Sequence, residues 1–343
     1  MRWHRIASWR ILATMGVAAL AVGTVPGMAS AAPTHSGGNY TCTGTAASPG
    51  TLAGNFANVT ITGTCLVDAG NVNVAGNLII AQNASLAADF GQNDKTDSGT
   101  SNITVRGNMI VEKGGSTLLG CYPLSVTLWG AGSPPTLFST PDFPCDDEAD
   151  PLNTPVLSAT EYIGGNLIAY QPLGVVVHNT TVRGNVVQYG GGNGTAFDPV
   201  GIFAVYIPGG PPAAPGQFDA PAPLPAYTDF SNVKAGGNMV LDGMDTSWYG
   251  IIRNTVRGSL IDTNNTTAPD GNELSDNTVY GNLVCSGNNP AVEYGDSNGV
   301  PSKVGGHATG ECGFNVLIPN PSPISVPGLP SYPLDHVSVH LHH

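Results

Sequence analysis

Apolar positions along the chain gather around one short recurring pattern: a β-branched residue, a variable residue, Gly, Asn, then two or three apolar residues. Clear copies open at Val74, Val105, Ile163, Val182 and Val279, with Asn77, Asn108, Asn166, Asn185 and Asn282 in the fourth place. A weaker copy opens at Ala235 and carries Asn238, and the copy at Val256 has Ser259 instead of Asn. A further Asn-x-Thr or Asn-Thr precedes several copies, at Asn102, Asn179, Asn254 and Asn277. The glycines from Gly76 to Gly281 are 31, 58, 19, 53, 21 and 23 residues apart. Degenerate copies at Leu128-Trp129-Gly130 and Ile207-Pro208-Gly209 would divide the two long gaps, and Val304-Gly305-Gly306 would add a last coil.

A period of roughly 20–30 residues built on β-branched strands predicts a solenoid of stacked coils. Val74, Val105, Ile163, Val182, Val256 and Val279, each two residues before its turn glycine, should then point inward in one row. Gly and Asn suit the turn because both tolerate left-handed backbone angles, and Asn can hydrogen-bond along the stack to the next coil. The competing arrangement is an antiparallel sandwich or barrel with Gly-Asn hairpins. It calls for turns every ~8–12 residues, about half the spacing found.

Composition narrows the class. The 46 Gly and 28 Pro work against a helical protein. A charge of −13 argues against nucleic acid as a partner. Residues 1–31 read as a secretory signal: Arg2, Arg5 and Arg10, an uncharged apolar run over Ile11 to Val25, and Ala29-Ser30-Ala31 as the cleavage site. That run is shorter than the ~20 residues a membrane span needs, so no span is expected after signal removal and the expected location is extracellular, from a bacterium. Residues 32–57 read as an N-terminal lead-in or cap, 58–318 as the repetitive body with insertions near 133–157 and 208–227, and 319–343 as a Pro-rich tail ending His340-Leu341-His342-His343. The six cysteines of an exported chain are expected to be oxidised. Neighbour spacings of 23, 24 and 27 match the coil length. Adjacent coils lie ~4.8 Å apart and a disulfide spans Cα atoms ~4.4–6.8 Å apart. Equivalent positions on neighbouring coils would therefore give Cys42–Cys65, Cys121–Cys145 and Cys285–Cys312.

The repeated V-x-G-N-[LMV]-[IV] with its preceding N-x-T resembles the coils of right-handed parallel β-helix proteins, the pectin-lyase-like superfamily. The resemblance covers about residues 58 to 318 and implies an all-β, right-handed, single-stranded parallel β-helix of about ten coils with loop insertions. It assigns Asn77, Asn108, Asn166, Asn185, Asn238 and Asn282 to a stacked turn ladder, with Ser259 departing from it. The family's enzymes cleave polysaccharides: hydrolases with clustered Asp, a Gly-His-Gly and an Arg-x-Lys, lyases with carboxylates that hold Ca2+ and an Arg or Lys base. Here Gly306-His307-Ala308 departs from the His motif, and Arg-x-Lys is absent.

Candidate chemistry is correspondingly sparse. Glu112 and Asp242 stand five residues after their glycines and Asp262 four after, so Asp242 and Asp262 could meet on adjacent coils near the separation glycosidases use. The same carboxylates could instead pair with Arg106, Arg183 and Arg257 in a solubilising charge row. Trp248 and Tyr249 could form a sugar-stacking platform, and Tyr170 and Tyr189, in the fifth position of other copies, are binding candidates together with Arg183 and Arg257. Asp146 and Asp147 form an acidic loop and the weak candidate for a metal. No cofactor is expected, except Ca2+ if the protein is a lyase. Two functions follow: an exported structural, adhesive or carbohydrate-binding protein facing polysaccharide or cell-envelope components, or a polysaccharide lyase or glycoside hydrolase. The incomplete catalytic set favours the first.

Overall fold

The computed structural model of the protein describes residues 35–121, 158–194, 227–294 and 300–314, apart from 47, 92, 94, 95, 97, 98, 193, 269 and 270. Ten short strands, from His35–Ser36 to Lys303–Val304, stack in chain order into a first sheet. Ten more, from Tyr40–Cys42 to Ala308–Gly310, form a second, and eight, from Gly50–Thr51 to Asn272–Ser275, form a third. The chain visits the sheets in rotation, and each strand pairs in parallel with its equivalent one coil away. The described residues form a right-handed parallel β-helix of ten coils.

The expected inward row exists. Val74, Val105, Ile163, Val182, Ala235, Val256, Val279 and Val304 follow one another in register along the first sheet, and all are fully buried. The period-2 alternation of a strand fills the interior from the other sheets too, with Leu78, Met109 and Leu167 from the second and Val177, Phe230 and Ile251 from the third.

The Gly-Asn turn forms the corner between the first and second sheets, and its ladder is longer than the sequence pattern indicated. The side-chain oxygen of each residue accepts the backbone N–H of its equivalent on the next coil. This links Asn58 to Asn77, Asn77 to Asn108, Asn108 to Asn166, Asn166 to Asn185, Asn185 to Asn238 and Asn238 to Ser259, at 2.8–2.9 Å. Ser259 Oγ takes the N–H of Asn282 at 3.1 Å, and Asn282 takes that of His307 at 2.9 Å. Gly306-His307-Ala308 is therefore the tenth corner. The expected reason for glycine is corrected: none of these turn glycines or asparagines has a positive φ. Glycine is required because the ladder passes close by; a Cβ on Gly107 would sit 2.5 Å from Asn77 Oδ1. Left-handed residues fall at the other corners instead, for example Asn83, Gln171 and Asn264 after the second sheet and Asn179, Asn232 and Asp276 after the third. Replacing Asn185 by Leu should leave the N–H of Asn238 without its partner and cost about 1–3 kcal/mol; an unchanged unfolding midpoint would remove the ladder from the account of stability.

Two readings of the repeat need revision. Val105 is in direct register with Ile163, and Val182 with Ala235. Each long gap thus advances the first sheet by a single coil. Residues 128–130 and 207–209 themselves lie outside the described residues. At the other end, residues 35–56, read as a lead-in or cap, already supply strands to all three sheets. Asn39 joins the ladder by accepting Asn58 Nδ2 at 2.9 Å. These first coils were hidden because Gly38-Asn39 lacks the β-branched residue before it and Ala57 replaces the turn glycine.

Two disulfides close the ends, Cys42–Cys65 with Cα atoms 6.4 Å apart and Cys285–Cys312 at 5.3 Å. The pairs are those expected, but their geometry is not. Cys42 lies in the second sheet beside Ile61, whereas Cys65 lies in the third beside Gly50. The bridge therefore runs between sheets rather than between equivalent positions. Cys285 is in register with Gly310, and Cys312 sits in the 3-10 turn Glu311–Phe314 that follows. In the third expected pair Cys121 is buried and Cys145 lies outside the described residues.

Candidate functional site

Asp242 and Asp262 stand on adjacent coils but on opposite faces of the second sheet. Asp262 is in register between Leu241 and Cys285, whereas Asp242 is in register between Tyr189 and Thr263. Their offsets from the turn glycine differ by one residue, and a one-residue difference reverses the face in a strand. Asp262 points into the coil and is 0% exposed, while Asp242 faces outward and is half-buried. The two cannot flank one glycosidic bond. Glu112 is exposed three coils from Asp242, roughly 14 Å along the stack.

Each aspartate has structural work instead. Asp242 Oδ1 accepts Thr263 Oγ1 at 2.8 Å and Asn264 Nδ2 at 2.9 Å. Asp262 accepts the Tyr249 hydroxyl at 3.0 Å, Asn265 Nδ2 at 2.7 Å and Asn288 Nδ2 at 3.1 Å. It adjoins a second, buried ladder in which Asn265 Oδ1 accepts Met244 N–H, Asn288 Oδ1 accepts Asn265 N–H and Glu311 Oε1 accepts Asn288 N–H. Burial pushes the Asp262 carboxyl up to about 7; the Tyr249 hydrogen bond opposes the rise and the charge of Glu311 adds to it. Burial, and then the charge of Asp262, holds the Tyr249 phenol well above its ordinary range, so it stays a donor. Among the described residues neither aspartate pairs with Arg106, Arg183 or Arg257.

The aromatic candidates separate as well. Tyr249 is fully buried and inward, whereas Trp248 faces outward from the third sheet and is half-buried. Its ring lies over Gly250, where an added Cβ would approach Trp248 Cζ3 to 2.9 Å. The two form no joint platform. Tyr170 and Tyr189 are in register on the outward face of the second sheet, Tyr170 being 56% exposed. Arg183 and Arg257 lie half-buried at the corner before the second sheet. Asp146 and Asp147 lie outside the described residues. Among the described residues no three His, Cys, Asp or Glu side chains converge on a metal position.

A polar cluster absent from the sequence reading sits on the outward face of the third sheet. His178 Nε2 lies 2.8 Å from Asp229 Oδ2, and Ser231 Oγ donates to Asp229 Oδ1 at 2.7 Å. Along the same sheet Glu273 is in register with Gly250 and Glu293, and accepts Ser275 Oγ at 3.3 Å. The residue types suggest a nucleophile set, but their order does not. Asp229 stands between the imidazole and the hydroxyl, so the Ser231 proton goes to the carboxylate and His178 does not activate it. His178, Asp229 and Glu273 are each at most 5% exposed, so they form a buried polar layer over the sheet. The signal was present: counting back two residues from Asn179 and Asn232 aligns Val177 with Phe230 and puts Asp229 in the outward row.

Comparison of the chain with protein-family models, curated proteins and solved structures finds no match. The stacked parallel sheets define the class of the chain, a parallel β-helix.

Proposed function

We propose that the protein is an exported β-helix of the bacterial cell surface or medium, of the pectin-lyase-like kind, with a structural, adhesive or carbohydrate-binding role. The observation that carries this reading is the outward face of the first sheet. Its central row presents Asn55, Asn73, Thr104, Thr181, Thr255 and Thr278, one per coil, broken by Tyr162 and Lys234 and ended by Lys303. A flat row of hydroxyl and amide groups at ~4.8 Å intervals suits multivalent hydrogen bonding to an extended polymer better than it suits bond cleavage. Supporting it, the carboxylates expected to act together face opposite ways. Two disulfides fit an oxidising compartment, and residues 1–31 carry the features of a secretory signal.

The test is a reducing-sugar and unsaturated-product screen over plant, algal and bacterial polysaccharides, with and without Ca2+, run beside a binding assay on the same panel. Retention without product is the expected result. Product release abolished by substitution of Asp242 would replace this reading with a lyase or hydrolase. N-terminal sequencing of the exported protein should begin at Ala32.

A further inference from the structure

The second sheet presents a different outward face. Its central row runs Ile79, Ile110, Ile168, Val187, Val240, Ile261 and Val284, in unbroken register over seven coils. Thr60 and Thr309 bound it at either end. These are the second apolar residues after each Gly-Asn, and they point away from the core. All but Val240 are partly exposed. The row is about 29 Å long at ~4.8 Å per coil, a continuous apolar stripe of the sort that marks an interaction surface. A strand face needs only its inward positions to be apolar for folding, so the fold alone does not account for the stripe.

We propose that this face joins two copies of the chain, packed sheet to sheet about a two-fold axis parallel to the coil axis and one residue to the strand-start side of the aliphatic row, so that the two rows lie side by side. The chemistry of the face favours a second copy over other occupants. A sugar chain would find only methyl groups along the central row. A lipid surface with anionic headgroups would meet a protein whose net charge is −13. A second copy brings the same row at the same coil spacing.

Charge fixes the orientation. The edge where the strands of this sheet begin carries Arg106, Arg183 and Arg257, and the edge where they end carries Glu112 and Asp242, with Lys113 one residue beyond Glu112. This axis sets strand starts of one copy against strand ends of the other at the same coil level. Arg106 and Glu112 flank the same strand, Met109–Val111, and both are exposed. Arg106 of one copy therefore faces Glu112 of the other, twice per dimer. An axis along the strands would instead oppose arginine edge to arginine edge. The same axis lays Tyr170 over Gly164 and Gly165 of the other copy, where no side chain stands. Ten strands about 13 Å wide give a face of roughly 560 Å2 per copy and ~1,100 Å2 in all, just under the ~1,200 Å2 at which specific interfaces begin. The association is accordingly expected to be reversible.

Sedimentation equilibrium of the full exported chain, from low-micromolar to near-millimolar concentration, should show a monomer–dimer equilibrium. Ile168→Lys at the centre of the row should weaken it by about tenfold or more. Ile168→Thr, which keeps a β-branched side chain and the strand, should weaken it in the same direction with an unchanged circular dichroism spectrum. Arg106→Glu should also weaken it, and adding Glu112→Arg should restore it. A chain that stays monomeric throughout, or that is held on soluble neutral polysaccharide or anionic vesicles through this face, overturns the proposal. So does a dimer indifferent to both Ile168 variants. Failure of the charge reversal to restore association overturns the axial two-fold.

Discussion

The folded protein should lose stability as the pH is raised from about 4 to 7, and Asp262 should be a principal cause. Its folded pKa, about 7, lies above the ordinary 3.8 because the group is sealed inside the coil. A carboxyl with a raised folded pKa contributes fully below its unfolded pKa, where both states hold the proton. That contribution is lost as the pH rises through the folded value, where the folded state must ionise a buried group. The difference amounts to about 4 kcal/mol across the window. Asp262→Asn should therefore flatten the dependence, changing stability little near pH 4 and raising it above pH 7. Tyr249 and Glu311 both face Asp262. Tyr249 stays protonated throughout, so the slope is not its own. Glu161 acts in the same sense. It is fully buried, with Oε2 accepting the N–H of Ile103, and burial holds its pKa well above the ordinary range. Unfolding curves of the wild type, Asp262→Asn and the double variant with Glu161→Gln, over about pH 4 to 8, test this. A wild type that is least stable in acid, or a variant with an undiminished slope, would refute it.

How much of this was readable in advance depended on which corner carried a marker. The corner between the first and second sheets announces itself, because the ladder demands Asn at one place and excludes a side chain at the place before it. The inward row and the ladder followed at once. Ala57 before Asn58 and Ser259 show how much the marker can vary while its hydrogen bond persists, and that variation hid the first coils. The other corners use a left-handed residue that can be Asn, Gln, Arg, Asp or Gly, so they leave no fixed letter. Asn179 and Asn232 mark that corner on two adjacent coils, but Arg253 and Asp276 stand in its place on the next two, so the register of the third sheet and the His178–Asp229–Ser231 cluster went unread. Asp242 and Asp262 illustrate the finer limit. They were counted from the same glycine position, but a single residue of offset decides between solvent and core, and only the register Leu241–Asp262–Cys285 reveals it.

Removing the Cys285–Cys312 bridge should have the second large effect, and a local one. The bonded cysteines are 27 residues apart, and in the chain-entropy account a loop of that size stabilises by roughly 3–4 kcal/mol. Its position gives it more leverage than its loop length alone. In a solenoid each coil is held chiefly by its neighbours, and the tenth has a neighbour on one side only among the described strands. Cys285 also lies in register directly beyond Asp262, while Glu311, next to Cys312, accepts the Asn288 N–H and Asn288 Nδ2. Opening the bridge should thus release the 3-10 turn, free the end of the buried ladder and admit water to Asp262. Cys285→Ala with Cys312→Ala should lower the unfolding free energy by about that amount and expose the chain to proteolysis around 303–314 first. Because water reaching Asp262 lets its carboxyl ionise more cheaply, the same variant should show a shallower loss of stability between about pH 4 and 7. Cleavage that begins elsewhere, or a pH slope identical to that of the bridged protein, would show that the C-terminal coil holds without the bridge and that Asp262 stays sealed by its own ladder.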